Sequence, residues 1–357
     1  MNRLPPHTVM IKAMLESDAS FEGIFITAVK TTGIFCRPTC TARKPKPENV
    51  QFFSMIEEAL FAGFRPCKRC HPMDRVPNRS ALVETLTNLL DEAPTKRITS
   101  QDLRNMNIDP STALRQFKRT YGMTFQQYQR GRRMGSALHD LQAGDAVIAA
   151  QVNHGFNSSS GFWEAFKQLF GTPPSQADQA HVLFARWIDT PLGGMLALAD
   201  DAGLHLLEFV DRRALETEIK RLRAHLKCSI VPGNHMCLDQ IENELKAYFE
   251  GTSLEFSVPL VALGSDFEKS VWKLLKTIPP GETWSYLDLA KKMENPNATR
   301  AVGHANGKNS IAIIIPCHRV IRTDGTLGGY GGGIWRKQWL LEHERTNLNK
   351  THQPKLI

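Results

Sequence analysis

Between positions 311 and 315 the chain reads Ile-Ala-Ile-Ile-Ile, an apolar run that has to be buried. β-Branched residues in such a run predict a strand covered on both faces. Pro316 cannot extend a ladder, so the chain turns there and Cys317 is expected at the strand end. Residues 183–188, 195–199 and 204–209 read as three further short strands, followed by an amphipathic helix over 215–226. Between 80 and 178 the period is helical and the pattern repeats. Phe117-Lys118-x3-Gly122 returns 49 residues later as Phe166-Lys167-x3-Gly171. Each glycine is placed to end a helix, and Thr124 and Thr172 stand where the next would start. Short helices over 99–106 and 111–121, joined by Asn107-Ile108-Asp109-Pro110, match a second pair over 146–152 and 158–170 across His154-Gly155-Phe156-Asn157. A further helix is expected over 297–307, with Asn297 as N-cap. Its Ala301, Gly303, Ala305 and Gly307 form a ridge nearly free of side chains, and Arg300 is the one long side chain at its start.

A chain of 357 residues is too long for one ordinary core. Its net charge of +8 is uneven: +6 over residues 1–180, −4 over 181–264 and +6 over 265–357. Two basic blocks flanking an acidic one point to two polyanion-binding regions and a middle part that avoids phosphate. No apolar stretch reaches the ~20 residues of a membrane span. Met-Asn-Arg-Leu-Pro-Pro-His at the start lacks the apolar core of a secretory leader. The cytoplasm is the expected location, with its cysteines reduced, ligating or catalytic.

Cys317 and His318 set a thiol beside an imidazole. A thiol attacks as thiolate, and a neighbouring histidine that takes its proton overcomes the ordinary shortage of that form. A lone buried cysteine is otherwise inert. The surroundings name the electrophile. Residues 266–346 resemble the O6-alkylguanine-DNA alkyltransferases in Pro316-Cys317-His318-Arg319-Val320, in Gly281-Glu282-Thr283 before Ser285-Tyr286, and in Thr299-Arg300-Ala301-Val302-Gly303. Asn309, eight residues before the cysteine, and Leu340-Leu341 leading to Glu344 also fit. The resemblance implies that Cys317 accepts an alkyl group, that His318 deprotonates it through a water, and that Glu344 orients the imidazole. It also implies that Tyr286 donates toward the leaving base, that Asn309 holds the turn, and that Arg300 fills the stack vacated by a flipped nucleotide. Ala301 and Gly303 would let the helix approach the DNA groove closely. His304 departs from the small residue usual in that family. Since S-methylcysteine has no proton to lose and no easy leaving group, each molecule would act once.

Four more cysteines fall as Cys36-x3-Cys40 and Cys67-x2-Cys70, a spacing that predicts tetrahedral zinc bound by thiolates. Spacing alone fits a structural zinc ribbon. The context, Thr31-Thr32-Gly33-Ile34-Phe35-Cys36-Arg37-Pro38 and Ala62-Gly63-Phe64-Arg65-Pro66-Cys67-Lys68-Arg69-Cys70, resembles the N-terminal domain of Ada-type proteins. That likeness, and not the spacing, implies that Cys36 takes a methyl group from a DNA methyl phosphotriester. Arg37, Arg43, Lys44, Lys46, Arg65, Lys68 and Arg69 are expected to grip neighbouring phosphates.

The duplicated helical pairs resemble the AraC/XylS-type helix-turn-helix domain. Basic charge on Arg115, Lys118, Arg119, Arg130, Arg132 and Arg133 favours DNA over a plain helical hairpin. Residues 111–118 and 158–167 are the expected readers, with Arg115, Gln116 and Lys167 suited to base edges. By family resemblance residues 181–264 form a ribonuclease-H-like scaffold. Asp200 and Asp201 are expected to face solvent there, and Cys228 and Cys237 to pack.

The sequence therefore predicts a multidomain α+β chain. It comprises a four-cysteine zinc domain (1–77), an all-α double helix-turn-helix domain (78–179), a ribonuclease-H-like α/β subdomain (180–264) and a winged-helix-like alkyltransferase core (265–350). The expected function is the adaptive response to DNA alkylation. Methyl groups would pass from O6-methylguanine and O4-methylthymine to Cys317, and from phosphotriesters to zinc-bound Cys36, the latter making an activator. The expected partners are double-stranded DNA, alkylated and promoter, and RNA polymerase, with no membrane and a monomeric state. An alternative keeps both repair reactions but lets the helix-turn-helix units only dock on DNA. A metal-dependent regulator would leave the match over 266–346 unexplained. A Cys-His-Glu protease would normally begin a helix with its nucleophile, far from its histidine.

Overall fold

The computed structural model describes residues 4–18, 21, 24–54, 58–59, 62–70, 72 and 80–351. At the N-terminal end, β1 (Ile26–Val29) pairs antiparallel with β2 (Ile34–Cys36) and β3 (Val50–Phe53), and β2 pairs parallel with β4 (Arg65–Pro66). Gly33, at φ +64°, makes the tight turn into β2 that only a residue without Cβ takes at low cost. The helix His7–Glu16 covers one face through Met10, Ala13 and Met14 against Phe25, Val50 and Phe52.

Residues 80–170 form six helices. Ala81–Glu92, Ser100–Asn105, Pro110–Tyr121 and the start of the long helix Phe125–Gln142 surround Leu86, Leu103, Phe117 and Phe125. The other end of that long helix joins Val147–Asn153 and Ser159–Phe170 around Leu138, Phe162 and Phe166. Gly122 and Gly171 end their helices at φ +70° and +78°, so the sequence echo is a structural one. Thr124 caps the long helix in a capping box with Gln127. Thr172 has no such role, because the next element is a 3₁₀ turn, Pro174–Gln179, that Pro173 opens.

Two of the basic residues expected on DNA are internal. Arg132 is buried against Asp91 at 2.6 Å, and Arg133 donates to the carbonyls of His154 and Gly155 at 3.1 and 3.0 Å while lying over the Phe156 ring. A helix that runs through two cores offers its arginines carbonyls and rings before it offers them phosphate. Gln116 is likewise engaged, accepting from the Ser80 hydroxyl at 2.5 Å. The side chain of Arg119 lies outside the described residues.

The next sheet has the order β7-β6-β5-β8, from Val182–Ile188 (β5), Met195–Asp200 (β6), Gly203–Phe209 (β7) and Ser229–Pro232 (β8). The expected helix is Leu215–Leu226, and β8 and the helix Met236–Glu250 are added to it. Cys228 and Cys237 pack in cores. Asp200 does not face solvent: it accepts from His205 at 2.8 Å and His181 at 3.0 Å. Burial opposes its ionisation, but those two histidines outweigh it and hold the carboxyl well below its usual range. The long helix docks here at Gly135, where a Cβ would meet Val231 at 2.9 Å and Phe184 at 3.2 Å.

The last part adds helices Asp266–Leu275, Tyr286–Lys292, Thr299–Gly307 and Ile334–Thr351, with β9 (Trp284–Ser285) parallel to β10 (Val320–Ile321). One core runs through both parts, from Leu207 and Phe209 to Trp272, Ile311 and Ile315. The strand expected over 311–315 is buried but not extended. Only Ile311 bridges to Leu207, Ile313 sits at φ +70°, and Ile315 N–H donates back to the Ile311 carbonyl at 3.1 Å. Such a φ is unfavourable for a β-branched residue. The Asn309 amide compensates by donating to the carbonyls of Ile311 (3.3 Å) and Ile315 (2.8 Å), in place of a ladder. Cys317 consequently lies in a 3₁₀ turn, Cys317–Arg319, ahead of β10 and not at a strand end.

Replacing Arg133 with Leu leaves the buried His154 carbonyl and the part-buried Gly155 carbonyl without this donor and is expected to cost about 2 kcal/mol, read as a lower thermal midpoint. Replacing the exposed Arg130 with Ala should leave that midpoint unchanged. Equal midpoints for both variants would show that Arg133 does not hold the turn.

Candidate functional site

The first site is built on Glu344, which the helix Ile334–Thr351 carries into the core with no exposure. Its Oε1 accepts from His318 Nε2 at 2.8 Å, Arg319 Nη2 at 2.9 Å and Tyr248 Oη at 2.9 Å. Its Oε2 accepts from Arg319 Nε at 2.9 Å and Gly281 N–H at 3.1 Å. Burial would raise this carboxyl, but His318 and Arg319 outweigh it and keep it ionised. His318 is wholly buried, and that burial lowers its pKa against the pull of Glu344. The neutral ring donates through Nε2, which leaves Nδ1 as acceptor, and Nδ1 is buried without a partner among the described residues.

Cys317 is 7% exposed. Burial raises its thiol pKa, and the Asn309 amide, 3.2 Å from Sγ, opposes the rise. The resting group is a thiol beside a neutral imidazole, an arrangement that needs a base at the moment of attack. A cavity of about 260 Å³ opens onto Cys317 and is lined by Tyr286, Gly303, Asn306, Asn309 and Glu208 among others. Glu208 and Arg212 come from the part expected to be scaffold only. Arg212 pairs with Glu208 and donates to the carbonyls of Gly307 and Asn309, both at 2.8 Å. Burial pushes Glu208 up to about 7. Sequence reasoning missed both residues, and also Tyr248 and Lys337, which burial brings down to about 8. An acidic and a basic residue flanking Phe209-Val210-Asp211 at the end of a leucine-rich strand were the available signal.

On the helix Thr299–Gly307, Arg300, Ala301, His304 and Gly307 are exposed and Gly303 is half-buried. Ala305 does not belong to this smooth face; it packs in the core, where its carbonyl accepts from Trp272 Nε1 at 2.8 Å. Asn297 is not the cap. The helix follows a 3₁₀ turn, Pro296–Ala298, with Ala298 at its N-cap.

The second site brings the sulfurs of Cys36, Cys40, Cys67 and Cys70 within 4.8 Å of one another. Four sulfurs about 2.3 Å from a central ion would stand only slightly closer. Cys36 is held protonated by its hydrogen bond to Cys70, by burial and by the nearby Cys40, so the set cannot ionise together without a cation. The donor set fits Zn²⁺, which would keep all four sulfurs as thiolates. The amides of Arg37 and Arg69 add donors to Cys70 and Cys67 sulfurs, each at 3.4 Å. Cys40 and Cys67 are buried, whereas Cys36 and Cys70 are half-buried. Cys36 lines a cavity of about 470 Å³ with Arg37, Arg43, Lys44 and Lys46. Arg65 and Lys68 are exposed outside that cavity.

On the helical pairs, Arg115 and Lys118 are exposed on Pro110–Tyr121, and Lys167 on Ser159–Phe170. Trp163, 41% exposed on the latter helix, is a further surface group that the period alone did not single out.

Attack by the Cys317 thiol on an electrophile is expected to need neutral His318. Since burial lowers that group from 6.5, protonation would stop the base only below that pH. Single-turnover rates should therefore be level between pH 7 and 8 and decline in more acid solution. A steep rise from 7 to 8 would instead show the bare thiol controlling the reaction.

Three family patterns match the chain: the metal binding domain of Ada over residues 9–73, a helix-turn-helix domain over 103–180, and the 6-O-methylguanine DNA methyltransferase DNA binding domain over 266–346. The bifunctional transcriptional activator/DNA repair enzyme Ada of Escherichia coli is 35% identical over 349 residues, 94% of this chain and 96% of that protein. A methylated-DNA–protein-cysteine methyltransferase of Mycobacterium bovis is 46% identical over 161 residues, 45% of this chain and 92% of that protein. Among solved structures, a methylated N-Ada/DNA complex is 38% identical, covers 36% of this chain and all of that one, and has a TM-score of 0.28. With a metal-binding, a helix-turn-helix and an alkyltransferase pattern in succession, and a relative aligned over 94% of its length, the chain belongs to the Ada family of bifunctional transcriptional activators and DNA repair enzymes.

Proposed function

We propose that this protein repairs alkylated DNA at two single-use thiols and that one of the two repairs turns it into a transcriptional activator. The observation that carries the reading is a buried thiol, imidazole and carboxylate in register on the same chain as four converging cysteines. At the first site the base is flipped into the cavity, since an atom inside a stacked pair is out of reach. Cys317 gives its proton to His318 Nδ1 through a water, and Glu344 stabilises the imidazolium. Sγ then forms a bond to the alkyl carbon of O6-methylguanine or O4-methylthymine as the carbon–oxygen bond breaks. The electron pair stays on the base, toward which Tyr286 donates. Asn309 holds the turn, Arg300 fills the vacated stack, and Ala301 and Gly303 allow close approach to the groove.

At the second site Cys36 Sγ bonds to the methyl carbon of a phosphotriester and the phosphate oxygen keeps the electron pair. Arg37, Arg43, Arg65 and Lys68 hold neighbouring phosphates. Arg115, Lys118 and Lys167 serve the helix-turn-helix units on promoter DNA, where RNA polymerase is the further partner. We divide the chain into 1–77, 78–179, 180–264 and 265–350. The first boundary lies outside the described residues; the others are supported by the 3₁₀ turn before β5 and by Ser265 capping the helix Asp266–Leu275. We assign the protein to the cytoplasm as a monomer. Among the described residues no helix is long and apolar enough to cross a membrane.

Intact-mass measurement after mixing with methylated DNA tests the repair reading. Cys317→Ala should lose uptake from O6-methylguanine and keep uptake from phosphotriesters, and Cys36→Ala should do the reverse. Base repair persisting in Cys317→Ala would overturn the assignment.

The switch follows from charge. Zinc with four thiolates carries about −2, and methylating one sulfur leaves about −1. At roughly 6 Å from a phosphate and an effective dielectric near 20, the repulsion removed is up to ~3 kcal/mol. With salt screening, promoter affinity should rise roughly tenfold to a hundredfold on methylation of Cys36. Titrations of methylated and unmethylated protein at two salt concentrations measure this. Equal affinities would favour repair with docking alone.

A further inference from the structure

Asn306 lies on the inner side of the helix Thr299–Gly307 and is 6% exposed. Its Nδ2 donates to the Cys317 carbonyl at 3.4 Å. That contact fixes which way the amide points, because the reverse orientation would set two oxygens against each other. Oδ1 is then buried without a hydrogen-bond partner among the described residues. The residue also lines the cavity that holds Cys317, beside Tyr286 and Gly303. A buried carbonyl with no donor is unfavourable, so it marks a place where something else brings the donor.

We infer that Asn306 Oδ1 accepts a hydrogen bond from the exocyclic amine of a flipped purine, and so makes the Cys317 site selective for alkylated guanine over alkylated thymine. This rests on the reading of Cys317 as acceptor of base alkyl groups. Alkylation at O6 removes the N1 proton of guanine, and the 2-amine is then the donor left on that edge. In O4-alkylthymine the corresponding ring carbon carries a carbonyl oxygen, which would face Oδ1 acceptor to acceptor. Asn306 makes and breaks no covalent bond. As the alkyl group leaves, negative charge grows on the base and its amine becomes a weaker donor. The contact therefore favours binding of the lesion and not the transfer step.

Duplexes carrying O6-methylguanine or O6-methylhypoxanthine, which differ only in the 2-amine, isolate the contact. Single-turnover uptake at Cys317 should require roughly tenfold more of the hypoxanthine duplex for half-saturation, with a similar limiting rate. In Asn306→Ala and Asn306→Leu that preference should vanish, while any loss from the missing bond to the Cys317 carbonyl falls on both duplexes alike. O4-methylthymine should gain relative to O6-methylguanine in the same variants. Equal half-saturation for the two purines in the unaltered protein overturns the inference, even if the variants fold poorly. So does a preference that survives both substitutions. No uptake from O6-methylguanine by the unaltered protein would instead overturn the reading of Cys317.

Discussion

A carboxylate with no exposure is costly unless every lone pair is met, and Glu344 is met on both oxygens by His318, Arg319, Tyr248 and Gly281. These donors come from the reactive loop, from a helix before it and from the loop before β9. The last helix carries the acceptor. Arg319 also reaches the Ile278 carbonyl, which joins the helix Asp266–Leu275 to the same network. Folding the last part of the chain and setting the state of the imidazole are thus one event. The anion that organises the core also fixes which ring nitrogen is left to take a proton.

The two cysteine centres solve one problem in opposite ways. A thiol is a poor nucleophile until it loses its proton. Cys317 is kept protonated by burial beside a neutral base, so it needs that base at the moment of attack. Cys36 sits among thiols that cannot ionise together without a cation, so its charge is permanent once zinc is bound. The first arrangement suits a neutral base that has been extracted from its stack. The second suits a phosphate backbone reached from outside, and the basic residues around Cys36 offset its anionic character.

Local chemistry made much of this legible. The four thiols at metal spacing, the glycines that end both repeated helices, the Thr124 cap and the strands around 183–209 were readable because each depends on neighbours in sequence. Failures came where distant contacts decide. Ile311 to Ile315 has strand composition, yet a single amide, Asn309, substitutes for the ladder and permits a left-handed isoleucine. Arg132 and Arg133 look like phosphate ligands in a basic helix, but that helix is the spine between two cores and its guanidiniums close internal gaps. Asp200 pairs with two histidines that no periodicity links to it. Glu208 and Arg212 reach the thiol pocket from β7 and the turn after it, about a hundred residues before Cys317, and linear spacing could not reveal that.

Gly135 has a reach beyond packing. Without a Cβ at that position the long helix comes as close to Val231 and Phe184 as elements do within one core. A helical unit that would otherwise trail on a tether is held at a joint. In polymer terms, the local concentration of its helices Pro110–Tyr121 and Ser159–Phe170 near Cys317 is then set by a contact and not by linker length. Lengthening the connection between residues 171 and 181 would leave that concentration unchanged for as long as position 135 stays bare.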